Sequence, residues 1–194
     1  MATASDIRRT AGSSRREEIL DEAAKLFADR GFHGVGVDDI GASVGISGPG
    51  IYRHFASKDS MLAEMLVRIS ERLLAEGTAR VGATADPRSA LNALIGWHIE
   101  FALANPALIV VQDRDLGNVA EPDRRRVRRL QRRYVEVWVG VLRQLDANRT
   151  ELAARAAAHA VFGLLNSTPH SAQALPRQDV AALLHRMATA ALLT

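Results

Sequence analysis

Residues 31–62 read GFHGVGVDDIGASVGISGPGIYRHFASKDSML, and the fold turns on this stretch. Gly31 is placed to end a preceding helix in the left-handed conformation, which a residue without Cβ adopts at little cost, and Phe32 follows to fold back over the helix end. A short helix is predicted from about Val37 to Val44. Gly36 takes its N-cap, Asp38 and Asp39 sit at the positive end of its dipole, and Ile40 and Val44 form its inner face. Gly45 supplies the turn. Ser47 then caps a third helix over Gly48–Phe55, with Pro49 in the first turn, where no amide hydrogen bond is lost. Two short helices joined by a glycine turn are the mechanical parts of a helix-turn-helix, whose second helix enters the major groove of duplex DNA while the first braces it.

Upstream, Ser14 followed three residues later by Glu17 is a capping box, and Ile19, Leu20, Ala23, Ala24 and Phe27 recur with helical period, so a first helix is expected over 14–30. Downstream, Ser57 opens a fourth helix carried by Leu62, Met65, Leu66, Ile69, Leu73 and Leu74 to about Glu76, with Gly77–Pro87 expected as a fraying end and loop. Five more helices are expected: Arg88–Ala104, a short one through about Leu116, Asp123–Leu145, Thr150–Asn166 and, after a loop holding Pro169 and Pro176, Arg177–Leu193. The expected fold is all-α with about nine helices, a three-helix head over residues 1–60 and a helical body over 61–194.

Composition agrees with helix and narrows the chemistry. Apolar residues make up 47% of 194, enough for a sizeable core, and the chain lacks cysteine, which removes disulfides and thiolate metal sites. The N-terminus has no apolar core of a signal peptide, and no run of 18 apolar residues occurs, so a cytoplasmic protein without a membrane span is expected. Net charge is +3, and residues 1–60 hold eight Lys/Arg against nine Asp/Glu. Bulk electrostatics therefore does not identify a nucleic-acid binder; the placement of charges must. His98, His159 and His185 fall on separate helices without a metal-binding spacing, and no nucleophile elbow or phosphate loop is present, so neither a metal nor a cofactor nor an enzyme is expected.

Gly31-Phe32-His33-Gly34, Val37-Asp38-Asp39-Ile40-Gly41, Val44-Gly45-Ile46-Ser47, Ile51-Tyr52-Arg53-His54-Phe55 and Ser57-Lys58-Asp59 with Leu62 closely resemble the DNA-binding region of the TetR family of transcriptional regulators, over about 50 contiguous residues from Arg15 to Leu66. The resemblance implies a dimeric repressor bound to double-stranded operator DNA and released by a small-molecule effector. It implies that Tyr52 hydrogen-bonds a phosphate, that His54 and Lys58 contact phosphates, that Arg53 faces outward to read a base, and that Ile51 and Phe55 are buried. Gly48, Pro49 and Gly50 depart from the small polar side chains usual there, so close backbone approach and a contact of Pro49 with thymine methyls are expected in their place. Arg8, Arg9, Arg15 and Arg16 form a basic arm suited to DNA, or else a solvated tail.

Beyond residue 80 the resemblance is one of architecture alone. Trp97, His98, Phe101, Tyr134, Trp138, Phe162 and Asn166 are candidates to line an effector pocket, though large aromatics serve an ordinary core equally well. Ala153, Ala157, Ala160 and Leu164, with Leu183, Leu184 and Met187, form small and aliphatic faces suited to a four-helix dimer interface, as the resemblance implies. Seven arginines crowd residues 124–133 (Arg124, Arg125, Arg126, Arg128, Arg129, Arg132 and Arg133), either as a solvated face paired with Asp113, Asp115, Glu121 and Asp123 or as a site for an anionic partner such as a coenzyme A effector. Two rival functions stay open: a ligand-independent dimeric DNA-binding protein, and a helical ligand-binding domain that no longer binds DNA.

Overall fold

The computed structural model describes the backbone of residues 4–171 and 175–193 and the side chains from Arg15 onward, except those of 172–174 and 194. Among the described residues there are ten α-helices: α1 (Ala4–Arg30), α2 (Val37–Ser43), α3 (Gly48–Ile51), α4 (Lys58–Gly82), α5 (Pro87–Ala104), α6 (Pro106–Asp115), α7 (Glu121–Leu145), α8 (Glu151–Leu165), α9 (Thr168–Ser171) and α10 (Arg177–Leu193). A 3₁₀ turn, Leu116–Asn118, extends α6, and no strand occurs among these residues. The all-α fold with a helix-turn-helix head is as expected, with α9 inserted where a loop was predicted.

The local chemistry follows the sequence closely in the head. Gly31 (φ 80°) and Gly45 (φ 70°) take the left-handed conformation at the ends of α1 and α2. The Asp39 carboxylate accepts from the Gly36 amide at 2.7 Å, and the Ser47 and Ser57 hydroxyls accept from Gly50 and Ser60 at 3.3 and 3.0 Å, opening α2, α3 and α4 as capping chemistry requires. Three boundaries differ. α1 begins at Ala4, so Ser14 lies within the helix and is not its start; the side chains of Arg8, Arg9 and Ser14 lie outside the described residues. α3 closes at Ile51 and continues to Phe55 as a tightened turn, with His54 N–H donating to Ile51 O at 2.8 Å. α4 runs on to Gly82, because Gly77 is a packing position: a Cβ there would lie 2.6 Å from the Tyr134 ring.

Ile19, Ala23, Phe27, Ile40, Ile51 and Leu62 are all at most 1% exposed and make the small head core. At ~1.5–3 kcal/mol for each fully buried large aliphatic or aromatic side chain, such a core fixes against α1 the two short helices α2 and α3, which would not persist alone. α4 leaves this core and packs on α5 and α7, while the C-terminal half of α1 leans on α6. The body closes around α7, which contacts α4, α5 and α8, and α10 covers α5 and α8.

Candidate nucleic-acid interface and body cavity

The head presents one outward edge. Tyr52 is 57% exposed, although most residues of its size in the head are buried, and Pro49 and Arg53 beside it are also exposed. Ile51 and Phe55, at 1% and 3%, anchor the same segment inward, as expected. Gly50 is open enough that a Cβ would meet only ordinary contacts at 3.4 Å or more. His54 is half-buried.

Four of the residues expected to touch DNA are engaged inside the protein. Lys58 Nζ donates to Phe32 O and Val35 O, both at 2.7 Å, and stands 4.4 Å from the Phe32 ring centroid, so it holds the α1–α2 loop. Arg16 Nε donates to Glu64 at 2.8 Å, its Nη1 donates to His54 O, and its guanidinium lies 4.1 Å from the Phe55 ring centroid. Arg15 donates to Val44 O at 2.5 Å and to Glu18 at 2.7 Å, which places a cation at the negative end of α2. Gly48 is buried toward α2, where a Cβ would fall 1.9 Å from Asp38 Oδ1, so it permits close packing of the two helices and does not admit DNA backbone. The sequence places basic residues near the reading helix but cannot say which of them the head uses to hold itself together.

In the body, five of the seven expected pocket residues converge. His98, Phe101, Tyr134, Phe162 and Asn166 line a cavity of about 300 Å³ between α4, α5, α6, α7 and α8. His98 is 3% exposed; its Nε2 lies 3.0 Å from Asn166 Oδ1 and its Nδ1 3.3 Å from the Tyr134 hydroxyl. Burial lowers the His98 pKa to about 4, with the Asn166 hydrogen bond opposing the shift, so the ring is neutral at physiological pH. A neutral ring facing the Asn166 oxygen donates from Nε2 and accepts the Tyr134 proton at Nδ1. Burial pushes the Tyr134 phenol up, which keeps that donor protonated. The Phe162 ring stacks on His98 at 4.9 Å and 11°. The Tyr134 oxygen and the Asn166 amide nitrogen retain hydrogen-bonding capacity, so the cavity offers an apolar stacked wall with polar tips.

Trp138 and Trp97 do not line the cavity. Trp138 is fully buried behind the stack, edge-on to His98 at 6.1 Å, and Trp97 turns the other way, under the guanidinium of Arg80 at 4.8 Å. Ser70, Gln112, Asp113, Gln131 and His159 line the cavity and were missed. Gln131 and Ser70 carried a signal: each sits within an apolar helical stripe, three residues from Tyr134 and from Leu73 respectively. Among the described residues that line the cavity there is no lysine or arginine.

On the outer side of the body, Ala153, Ala160, Leu183 (38%) and Met187 (46%) are exposed, and Ala157 and Leu164 are half-buried. Leu184 is 4% exposed and belongs to the protomer core with Val180, Ala188 and Leu192, a helical phase one position away from that assigned by sequence. Leu152, 79% exposed, extends the open apolar face. In the arginine cluster, Arg124 and Arg125 pair with Glu121, and Arg126 pairs with Glu71 at 2.7 Å. Asp115 is held instead by Arg114. Arg128, Arg129, Arg132 and Arg133 are exposed along one side of α7.

Two family models match the chain in succession. Residues 19–65 match the domain described as bacterial regulatory proteins, tetR family, and residues 84–170 match the tetracyclin repressor-like C-terminal domain. The chain belongs to the TetR family. Among TetR-family relatives, the HTH-type transcriptional repressor KstR2 of Rhodococcus jostii is 36% identical over 131 residues, covering 67% of this chain and 64% of that protein. The chain thus spans just under two thirds of the length of that relative in the matched region. The structure of the ketosteroid transcriptional regulator KstR2 of Mycobacterium tuberculosis superposes with a TM-score of 0.80 at 25% identity, covering 92% and 93% of the two chains. AibR, solved in complex with isovaleryl coenzyme A and operator DNA, shares the fold with a TM-score of 0.74 at 18% identity, covering 89% and 97%.

Proposed function

We propose that this protein is a homodimeric transcriptional repressor of the cytoplasm whose head (residues 1–60) binds a palindromic operator and whose body (61–194) takes a small effector that releases it. The observation that carries this reading is the exposed Pro49–Arg53 edge on a three-helix knob, joined through α4 to a body that holds a partly open cavity of about 300 Å³. Tyr52 and His54 serve phosphates, Arg53 reads a base edge, and Pro49 with Gly50 lies against thymine methyls. The half-buried and exposed faces of α8 and α10 pair across a two-fold axis through Ala153, Ala157, Ala160, Leu164, Leu183 and Met187, which sets two reading helices roughly 34 Å apart.

The effector carries an apolar group for the cavity and is best read as an acyl-coenzyme A, with a wholly apolar metabolite as the other candidate. The acyl part fits the cavity beside His98, where the described lining residues include no lysine or arginine to hold a free carboxylate. Gln131 and Val135 line the cavity from α7, and Arg128 and Arg132 flank them on the same helix, exposed, where phosphates of a coenzyme A would find charge-assisted partners. The isovaleryl coenzyme A complex of AibR, a protein of the same fold, supports that class. An effector with equal affinity for both states would release nothing; it must prefer the state whose heads are wrongly spaced.

Fragments bound from random DNA supply the operator, and fluorescence anisotropy then measures affinity with and without a series of acyl-coenzyme A thioesters. Release by at least one thioester, with loss of binding in Tyr52→Ala and Arg53→Ala, is expected. DNA binding unaffected by both substitutions would refute the assigned reading edge. Thioester binding that leaves DNA affinity unchanged would favour a ligand-independent regulator.

A further inference from the structure

Helix α6 has two working faces. Ile109, Gln112 and Asp113, with Leu116 just beyond the helix end, line the cavity. At 3.6 residues per turn these positions share one side, which leaves Arg114, Asp115 and Asn118 on the other. That other side is tied to the head. Arg114 Nη1 donates to Ala28 O at 3.2 Å and Nη2 donates to Phe27 O, the last-turn carbonyls of α1. Asp115, only 4% exposed, holds the Arg114 guanidinium at 3.1 Å and accepts from Asn118 Nδ2 at 3.4 Å. Asn118 Oδ1 in turn lies 3.1 Å from Nε2 of His33, in the α1–α2 loop that leads into the helix-turn-helix.

We infer that Arg114, Asp115 and Asn118 are positioning residues that transmit occupancy of the cavity to the reading head. The inference rests on the reading of the cavity as the effector site. Its physical basis is that a buried carboxylate is tolerated only with its partners in place, so the Arg114–Asp115 pair has one good geometry. A ligand pressing on Ile109, Gln112 and Leu116 displaces the helix that carries that pair. The Ala28 carbonyl then loses the Arg114 donor, Phe27 O is left with the Gly31 amide, and α1 loses the cation at its negative end. Because α1 packs on α2, the reading helix is reoriented. α4 also reaches the cavity, through Ile69, Ser70 and Leu73, and is tied to the middle of α1 by the Arg68–Glu17 and Arg16–Glu64 pairs; among the described residues it is Arg114 on α6 that joins the cavity wall to the C-terminal end of α1 through a charged side chain.

Cavity occupancy is imposed without a ligand by filling substitutions at two α7 positions that belong to neither the latch nor the head: Gln131→Trp at the mouth and Val135→Phe deeper in. Each is measured by anisotropy on the selected DNA fragment in three backgrounds of the full chain: unaltered, Arg114→Gln, and Arg126→Gln, which cuts a comparable interhelical ion pair to Glu71. Circular dichroism selects whichever filling variant folds. Filling is expected to weaken DNA binding about tenfold in the unaltered and Arg126→Gln backgrounds, within the usual range for coupled sites, and less than about twofold with Arg114→Gln. An equal fall in all three backgrounds would overturn the latch while leaving the cavity as the control site. No fall in any background would overturn the reading of the cavity, and the latch with it.

Discussion

His98 makes the body acid-sensitive by a calculable amount. Its folded pKa of about 4 lies below the ordinary 6.5 because burial disfavours the imidazolium. As pH falls through 6.5, the unfolded chain takes up a proton that the folded chain refuses, so stability present at neutral pH is lost between about 6.5 and 4. Integrating over that window gives a loss of about 2 kcal/mol at pH 5 and about 3 kcal/mol below pH 4, at ~1.36 kcal/mol per pKa unit. His98→Gln keeps a donor for Asn166 and an acceptor for Tyr134 but does not titrate. Urea unfolding of both proteins at pH 7.5 and pH 5, at one protein concentration, is expected to show an acid loss about 2 kcal/mol smaller in the variant. Equal acid losses in the two proteins, or a His98 imidazole NMR signal that titrates near neutrality, would refute the burial argument and with it the neutral His98 of the cavity wall.

Other substitutions separate structure from recognition. Lys58→Met removes the donor to Phe32 O and Val35 O; it should cost about 2–3 kcal/mol of head stability and leave the salt dependence of DNA binding unchanged, whereas a phosphate contact would lower the slope by about one. Gly41→Ala would put a Cβ 2.6 Å from Ile46 O, backbone that cannot yield, and should cost ~1–3 kcal/mol by thermal unfolding, while Gly50→Ala is tolerated. Leu183→Glu with Met187→Glu should yield folded monomers in sedimentation experiments, and Leu184→Ala should leave assembly intact while costing ~2–5 kcal/mol of stability. Either result reversed would reassign the outer face of α10.

The reading edge was legible because local rules govern it. A capped, glycine-punctuated helix pair carries its own boundary signals, and Ile51 and Phe55 are set by helical period to face the opposite side from Pro49 and Arg53. The cavity was half legible: period placed His98, Tyr134 and Phe162 on inner faces, but Trp138 and Trp97 have the same period and chemistry and differ only in which neighbour they meet.

Sequence alone determined the helices other than α9, their order and the head, since capping, turn chemistry and hydrophobic period act within a few residues and need no partner. Tertiary structure decided what each charge does. Arg16 and Lys58 read alike in the chain as basic side chains suited to DNA, and Arg114 drew no reading, yet each finds a carbonyl or carboxylate from a segment tens of residues away. That choice depends on which helix ends meet, a property of packing that no local pattern encodes.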